Sequence, residues 1–469
     1  MIEAGIVHIT PESQQLIRSD LAWHYHILPQ GKDEKGYTFY IDEQRNTPSV
    51  MEELEALLGE SISLESVSSE IIQRSLGRFY RKAGEENKPV FNAGTDFVDR
   101  LIQEANHIGS SDIHIEIYHD KARIRIRIDG HLIQRYTISK DEYPELVNKI
   151  KIRANLDISE RRLPQDGRIE YEDFDIRVSI LPTLHGEKIV LRILGHDASS
   201  ISIENVGFSD REKEDYLEGV RKPNGIILIS GPTGSGKTTT LYATLKLLND
   251  ERRNIVTVED PVEYTLEGIN QVQLKESIGL TFASALRSFL RQDPDVIMLG
   301  EIRDGETAQM AIRASLTGHL VLSTIHTNSA WGTISRLVDM GIPPFLLANT
   351  INTTVAQRLI RKLCPSCKQE QALHDADWSR QLTSFQKPAS HFVPVGCESC
   401  HFTGYKGRIA LYEVIPINAD LAGMIKEGKH PDEACLNKEG VYSLAQRAHT
   451  IFLTGVTSLE EVYPLLSGF

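Results

Sequence analysis

Four groups of residues in this 469-residue chain have types and spacings that could do chemistry. The first is the run Gly231-Pro232-Thr233-Gly234-Ser235-Gly236-Lys237-Thr238-Thr239, which fits G-x-x-x-x-G-K-[ST]. Such a loop turns backbone N–H groups inward around phosphate oxygens, and the helix after it adds its positive end. Gly231, Thr233, Gly234, Ser235, Gly236, Lys237, Thr238 and Thr239 are therefore the candidate nucleotide-binding residues. Lys237 would reach the β- and γ-phosphates of ATP, and the Thr238 hydroxyl would hold Mg²⁺. An apolar run, Ile226 to Ile229, precedes the loop and TTTLYATLKLLN follows it. That strand-then-helix context is what the motif requires; a plain glycine-rich turn would need neither the lysine nor the threonine.

The second group stands at the ends of short apolar runs. In an open parallel sheet, ligands bind outside the carboxyl ends of the strands. Glu259, Asp260 and Glu263 crowd the end of NIVTV and could position Mg²⁺ or a water, although a solvated acidic turn has the same look. Glu301 ends DVIMLGE and could hold Mg²⁺ through water or polarise the attacking water. His326 ends GHLVLSTIH, where it could sense a γ-phosphate; His319 reads as structural.

The third group is cationic. Arg177 and Arg192 flank DIRVSILP and KIVLRIL, and Arg287 and Arg291 stand one helical turn apart in ALRSFLRQDPD. Any of them could stabilise charge on a transferring phosphoryl group, or could be a surface ion-pair partner. The fourth group is two C-x-x-C knuckles, Cys364/Cys367 and Cys397/Cys400. Four thiolates so arranged suit a closed, structural Zn²⁺ site, with a redox pair or free thiols as the alternatives. Cys435 stands alone as a small apolar residue.

Three stretches of chain must position these groups. Residues 1–85 carry a strand pattern (YTFYIDEQ), a helix ending at Gly59, and a second helix capped near Ser68. AGEENKPV reads as a linker. Residues 91–200 open with the helix pattern DFVDRLIQEANHIG and continue in strictly alternating strands, with turns at His119-Asp120 and Asp129-Gly130. Helix first and strands after predicts a small α+β unit. GHDASSISIENVGFS is the next linker. Residues 210–469 alternate apolar strands with helices, which predicts an α/β parallel sheet.

Composition bounds the reading. Hydrophobic content of 40% and charged content of 25% are ordinary for a globular protein. A net charge of −14 argues against broad nucleic-acid binding. No apolar stretch approaches the ~20 residues a bilayer span needs, and MIEAGIVHITPESQQ has no signal-like core, so a reducing, cytoplasmic location is expected.

Taken together, the motifs resemble those of the ATPases that drive type II secretion and type IV pilus assembly. The matching segments include SDIHIE, RLPQDGRI, RVSILPTLHGEKIVLRIL, GPTGSGKTTTLYA, VEDPVEY, LRQDPDVIMLGEIRD, TGHLVLSTIHTN, QRLIRKLCPSCK and GYKGRIALYEV, in family order from about residue 95 to 415. The resemblance implies a hexameric ring whose subunit has an N-terminal docking domain (1–85), a PAS-like domain (91–200) and a RecA-like ATPase domain (210–469) with a zinc-binding insert (360–405). It implies that Glu259, Asp260 and Glu263 form an acidic box supporting metal and water, that Glu301 is the Walker B acid, and that His326 belongs to a histidine box. It also implies that Arg177 and Arg192 reach the nucleotide from the PAS-like domain, with Arg287 and Arg291 in support. An inner-membrane platform protein and a membrane docking protein are the implied partners, which would hold the motor at the inner face of the cytoplasmic membrane; no specific nucleic acid is implied. The tetracysteine insert points to the assembly and secretion branch. The front of the N-terminal unit, LIRSDLAWHYHILPQ, has no R-L-G pattern of the kind found in members that bind cyclic dinucleotide there. A retraction or DNA-uptake motor, a non-hydrolysing nucleotide scaffold, and a zinc-knuckle nucleic-acid binder are the rival readings.

Overall fold

The alternating and continuous apolar runs become three main sheets in the computed structural model of the chain. It describes residues 19–33, 36–79, 97–195, 201–374 and 385–468, with a few further positions near the N-terminus and between 375 and 384. The linker AGEENKPV and residues 196–200 of the second linker lie outside the described residues.

In the first sheet, Ile27–Asp33, Gly36–Asp42 and Ile62–Val67 lie side by side, antiparallel and then parallel. The parallel crossover is made by helix Pro48–Leu58, which stops at Gly59 (φ 71°), a left-handed position that suits glycine. Helix Ser69–Phe79 follows, its first carbonyl acceptor being Ser68, while the Ser69 hydroxyl donates to Asp42 at 2.5 Å. Phe39, Ile41, Leu54, Ile72 and Leu76 share one small core.

The second sheet is antiparallel throughout, in the order His131–Ile138, Ala122–Ile128, Asp112–Ile117, Gly186–Gly195, Phe174–Thr183, Gln165–Glu170. Both expected turns are present. One face buries Ile113, Ile115, Ile124, Ile126, Val178 and Leu191 against helices Phe97–His107 and Tyr143–Arg153. The second of these helices corrects the helix-then-strands expectation. Its apolar positions Leu146, Val147 and Ile150 are spaced for one face, but they sit among lysines and behind Pro144.

The opposite face of this sheet is charged. Glu116, only 4% exposed, accepts two hydrogen bonds from Arg125 at 2.8 Å and one from Arg123 at 3.0 Å. Burial alone would raise the Glu116 carboxyl, but these guanidinium bonds overcome it and hold it at about 2. The folded value lies below the unfolded one of about 4.3, so the contribution is present above that pH and is lost as pH falls toward 2. Breaking such a buried pair costs about 3–5 kcal/mol, so Glu116→Gln should lower stability by roughly that amount in denaturant titrations at pH 7 and by much less near pH 2.

The third sheet runs Asn270–Gln273, Ile255–Glu259, Val296–Leu299, Leu320–Ile325, Gly225–Ser230, Ile351–Leu363, Tyr405–Pro416. All neighbours are parallel except the last pair. Side chains alternate across it: Ile226 and Leu228 enter the core on one face, Ile227 and Ile229 that on the other. Helix Lys237–Leu248 belongs to the second of these cores, while Phe282–Phe289, Gly305–Leu316 and the C-terminal helices belong to the first.

The second and third sheets touch at the Asp129-Gly130 turn. The Gly407 N–H donates to Asp129 Oδ2 at 2.7 Å, and Arg408 stands 3.7 Å from the same carboxylate.

Candidate nucleotide and metal sites

The parallel order brings four strand ends to one edge: Gly225–Ser230, Ile255–Glu259, Val296–Leu299 and Leu320–Ile325. The loop 231–236 springs from the first. Gly231, Gly234 and Gly236 all hold positive φ (149°, 80° and 86°), backbone that side-chain-bearing residues rarely adopt. At Gly231 a Cβ would also stand 2.5 Å from the Gln357 carbonyl oxygen. Ser235 Oγ is buried in the loop and meets no hydrogen-bond partner among the described residues, which fits a cradle for phosphate oxygens. Lys237 Nζ caps the loop by donating to the carbonyls of Gly231 (2.8 Å) and Pro232 (3.0 Å). Burial lowers its pKa from the usual lysine value, and the Glu301 carboxylate works against that. Thr238 and Thr239 are exposed on the first turn of the helix, and the Thr238 hydroxyl is a hard oxygen donor of the kind Mg²⁺ takes.

Glu301 follows Gly300 directly beyond its strand. It pairs with the Arg303 guanidinium and lies 3.3 Å from His326 Nε2. Arg303 also reaches Asp260 at 3.6 Å. The structure thus links His326, Glu301, Arg303 and Asp260 in one chain of contacts. His319 is elsewhere, its Nδ1 bonded to the Ala314 carbonyl at 2.8 Å.

The three acids of the turn have different surroundings. Glu259 is 3% exposed and accepts from Tyr242, from Thr257 at 2.6 Å and from Gln271 at 3.1 Å. The Glu263 carboxylate has no hydrogen-bond partner among the described residues, while the residue's backbone N–H donates to the Tyr242 hydroxyl at 3.3 Å. Burial raises its pKa, while Arg192 and Arg177 pull it down. Those two arginines are directly opposite each other across strands Phe174–Thr183 and Gly186–Gly195. Arg192 is paired with Asp112 at 3.0 Å. Arg287 and Arg291 are bonded away from the loop, Arg287 to Glu306 at 2.9 Å and Arg291 to the Arg287 carbonyl at 2.7 Å.

Sequence reasoning passed over Arg303, Tyr242, Gln357 and Arg358. Arg358 Nη2 donates to the Asn328 carbonyl at 3.1 Å, and a Cβ on Gly231 would lie 3.2 Å from its Nη1. The available signal was weak: Gln357 and Arg358 follow the run Val355-Ala356 in a strand that is mostly buried but carries several other polar residues.

The cysteines converge as the spacing predicts. The sulfurs of Cys364 and Cys397 are 3.8 Å apart, those of Cys367 and Cys400 3.8 Å, and those of Cys397 and Cys400 3.7 Å. Four ligands at the ~2.3 Å Zn–S distance of a tetrahedral site stand ~3.8 Å from one another. The N–H groups of Gly396, Cys397 and Gly404 point at Cys367 and Cys400 sulfurs within 3.3 Å, as thiolate ligands favour. The donor set therefore fits Zn²⁺, and all four positions are supplied by protein.

A RecA-like parallel sheet whose strand opens into this loop, faced by an acidic strand end, defines a P-loop ATPase. The particular family follows from comparison: residues 89–464 match the family described as "Type II/IV secretion system protein", and the chain belongs to that family. It is 45% identical to the type II secretion system protein E of Pseudomonas aeruginosa, over 81% of this chain and 76% of that one. It is 39% identical to the type IV pilus assembly ATPase PilB of Myxococcus xanthus, over 97% and 86% respectively. Among solved structures, the pilus retraction motor PilT with bound ADP matches at 26% identity and a TM-score of 0.53, covering 78% of this chain and 95% of that one. No helix among the described residues is long and apolar enough to cross a membrane.

Proposed function

We propose that this chain is the ATPase motor of a type II secretion or type IV pilus assembly machine, working as a homohexamer. The observation that carries the reading is the shared strand edge, where the phosphate loop, Glu301, His326 and the acidic turn meet, with Arg177 and Arg192 near enough to act on Glu263. In this reading Lys237 holds the phosphates of ATP, Thr238 holds Mg²⁺, Glu301 orients and polarises the attacking water, and Glu259, Asp260 and Glu263 support it. His326 reads the γ-phosphate through Glu301. Arg177 and Arg192 lend positive charge as the PAS-like unit (91–200) closes on the RecA-like unit (210–469), with Arg287 and Arg291 supporting from further out. Zn²⁺ holds the insert 360–405 through Cys364, Cys367, Cys397 and Cys400. The unit 1–85 docks the motor to a membrane protein, and the closing motion is passed to an inner-membrane platform protein from the cytoplasmic side.

The likeness to the PilT structure favours a second reading, a retraction motor. The tetracysteine cluster supports assembly or secretion over it.

Hydrolysis per subunit, measured over rising protein concentration with Mg²⁺ and intact zinc, tests the ring. A steep rise is expected, because arginines supplied across subunits or by a moving unit complete the site only on assembly. A constant rate per subunit would sink the ring, and a complete lack of turnover, alone or with membrane partners, would sink the motor.

A further inference from the structure

Tyr242 has a place in this site that its type alone does not announce. It is on helix Lys237–Leu248, one turn beyond Thr238, and its side chain is fully buried. Its hydroxyl donates to Glu259 Oε2. The Tyr242 phenol oxygen also accepts from the Glu263 N–H at 3.3 Å and lies 3.5 Å from Gln271 Nε2. Gln271 in turn donates to Glu259 at 3.1 Å and to the Tyr264 carbonyl at 3.0 Å. The Tyr242 ring meets the Tyr264 ring edge-on at 5.9 Å. One phenol therefore joins the helix that begins in the phosphate loop to both ends of the turn from Glu259 to Tyr264.

The consequence is a division of labour between the two glutamates. Glu259 is enclosed and its oxygens are occupied by Tyr242, Thr257 and Gln271. Glu263 keeps a carboxylate that no described side chain bonds, while its backbone is held. We infer that Tyr242 is a positioning residue, which tethers the acidic turn to the phosphate-binding helix through Glu259 and the Glu263 N–H and so fixes where the Glu263 carboxylate stands. Its bearing on turnover rests on the ATPase reading above; the tether itself does not.

Tyr242→Phe removes the hydroxyl and keeps the ring packed. Hydrogen exchange at the Glu263 amide reads the tether directly, and it should quicken about fivefold, the size of one ordinary hydrogen bond. In the ATPase assay kcat should fall about 10- to 100-fold, as misplacement of a reacting group by about 1 Å does, with KM within twofold and the melting temperature held. Glu259→Gln keeps an acceptor for Tyr242 but breaks the charge-assisted bond, and it serves as the second variant should Tyr242→Phe fold poorly. The double variant should be no slower than the slower single, because both act through one bond. Unchanged exchange at Glu263 in both variants overturns the inference, as does faster exchange with unaltered kcat. Faster exchange in Tyr242→Phe, beside a wild-type protein that never turns ATP over, would sink the motor and leave the tether standing.

Discussion

Glu301→Gln should leave ATP bound and reduce its hydrolysis by about 10²- to 10⁴-fold, the range lost with a positioned acid–base group. The substitution is isosteric, and Glu301 stands two residues beyond a short strand whose four residues are all buried, so the fold has no reason to change. What is lost is charge. The carboxylate is shared by Arg303 and His326, and the lysine of the loop feels it as well. With an amide in its place, Arg303 keeps Asp260 at 3.6 Å but loses the Glu301 carboxylate, and His326 loses its anionic neighbour. Lys237→Ala should differ in kind. It removes the cation that caps the start of the loop at the Gly231 and Pro232 carbonyls, so nucleotide affinity falls together with turnover. Phosphate release and equilibrium titration with a fluorescent nucleotide separate the two. Undiminished turnover in Glu301→Gln would remove that residue from the chemistry.

Removing the metal should have the largest structural effect. Structural Zn²⁺ sites in small peptides contribute on the order of 10 kcal/mol to folding at pH 7. Here the site closes a long excursion between strands Ile351–Leu363 and Tyr405–Pro416. Elemental analysis should find one zinc per chain, and Cys400→Ser should lose it. Residues 364 to 404 should then become sensitive to protease while the strands on either side stay protected. Zinc should also be released as pH falls, because the thiolates must be protonated to leave. A Cys400→Ser protein that retains stoichiometric zinc and protease resistance would show that the knuckles do not bind metal as a set.

How much of this was legible in the sequence depends on whether a feature is local. The phosphate loop was readable because its glycines, lysine and threonine act within a few residues of one another. Glu301 and His326 were readable because a strand end is a fixed address in a parallel sheet. Their mutual contact was not, since it depends on two strands becoming neighbours. Arg287 and Arg291 show the limit of spacing. Expected one helical turn apart, they are split by the end of helix Phe282–Phe289, and they bond Glu306 and the Arg287 carbonyl, which no periodicity could have told. Strands Ile351–Leu363 and Tyr405–Pro416 escaped notice because they carry arginines, lysines and glycines, and their pairing bridges the cysteine-bearing insert.

Among the described residues the buried apolar side chains fall into four clusters, one in each of the first two sheets and one on either face of the third. Cooperative unfolding is a property of a shared core, so heat or denaturant should not dismantle this chain in a single step. The small cluster around Phe39 and Leu76 has few apolar residues to lose and should melt first. Nucleotide should raise only the transition of the sheet that binds it. Calorimetry would then give several stabilities for one polypeptide, and no one midpoint would stand for them all.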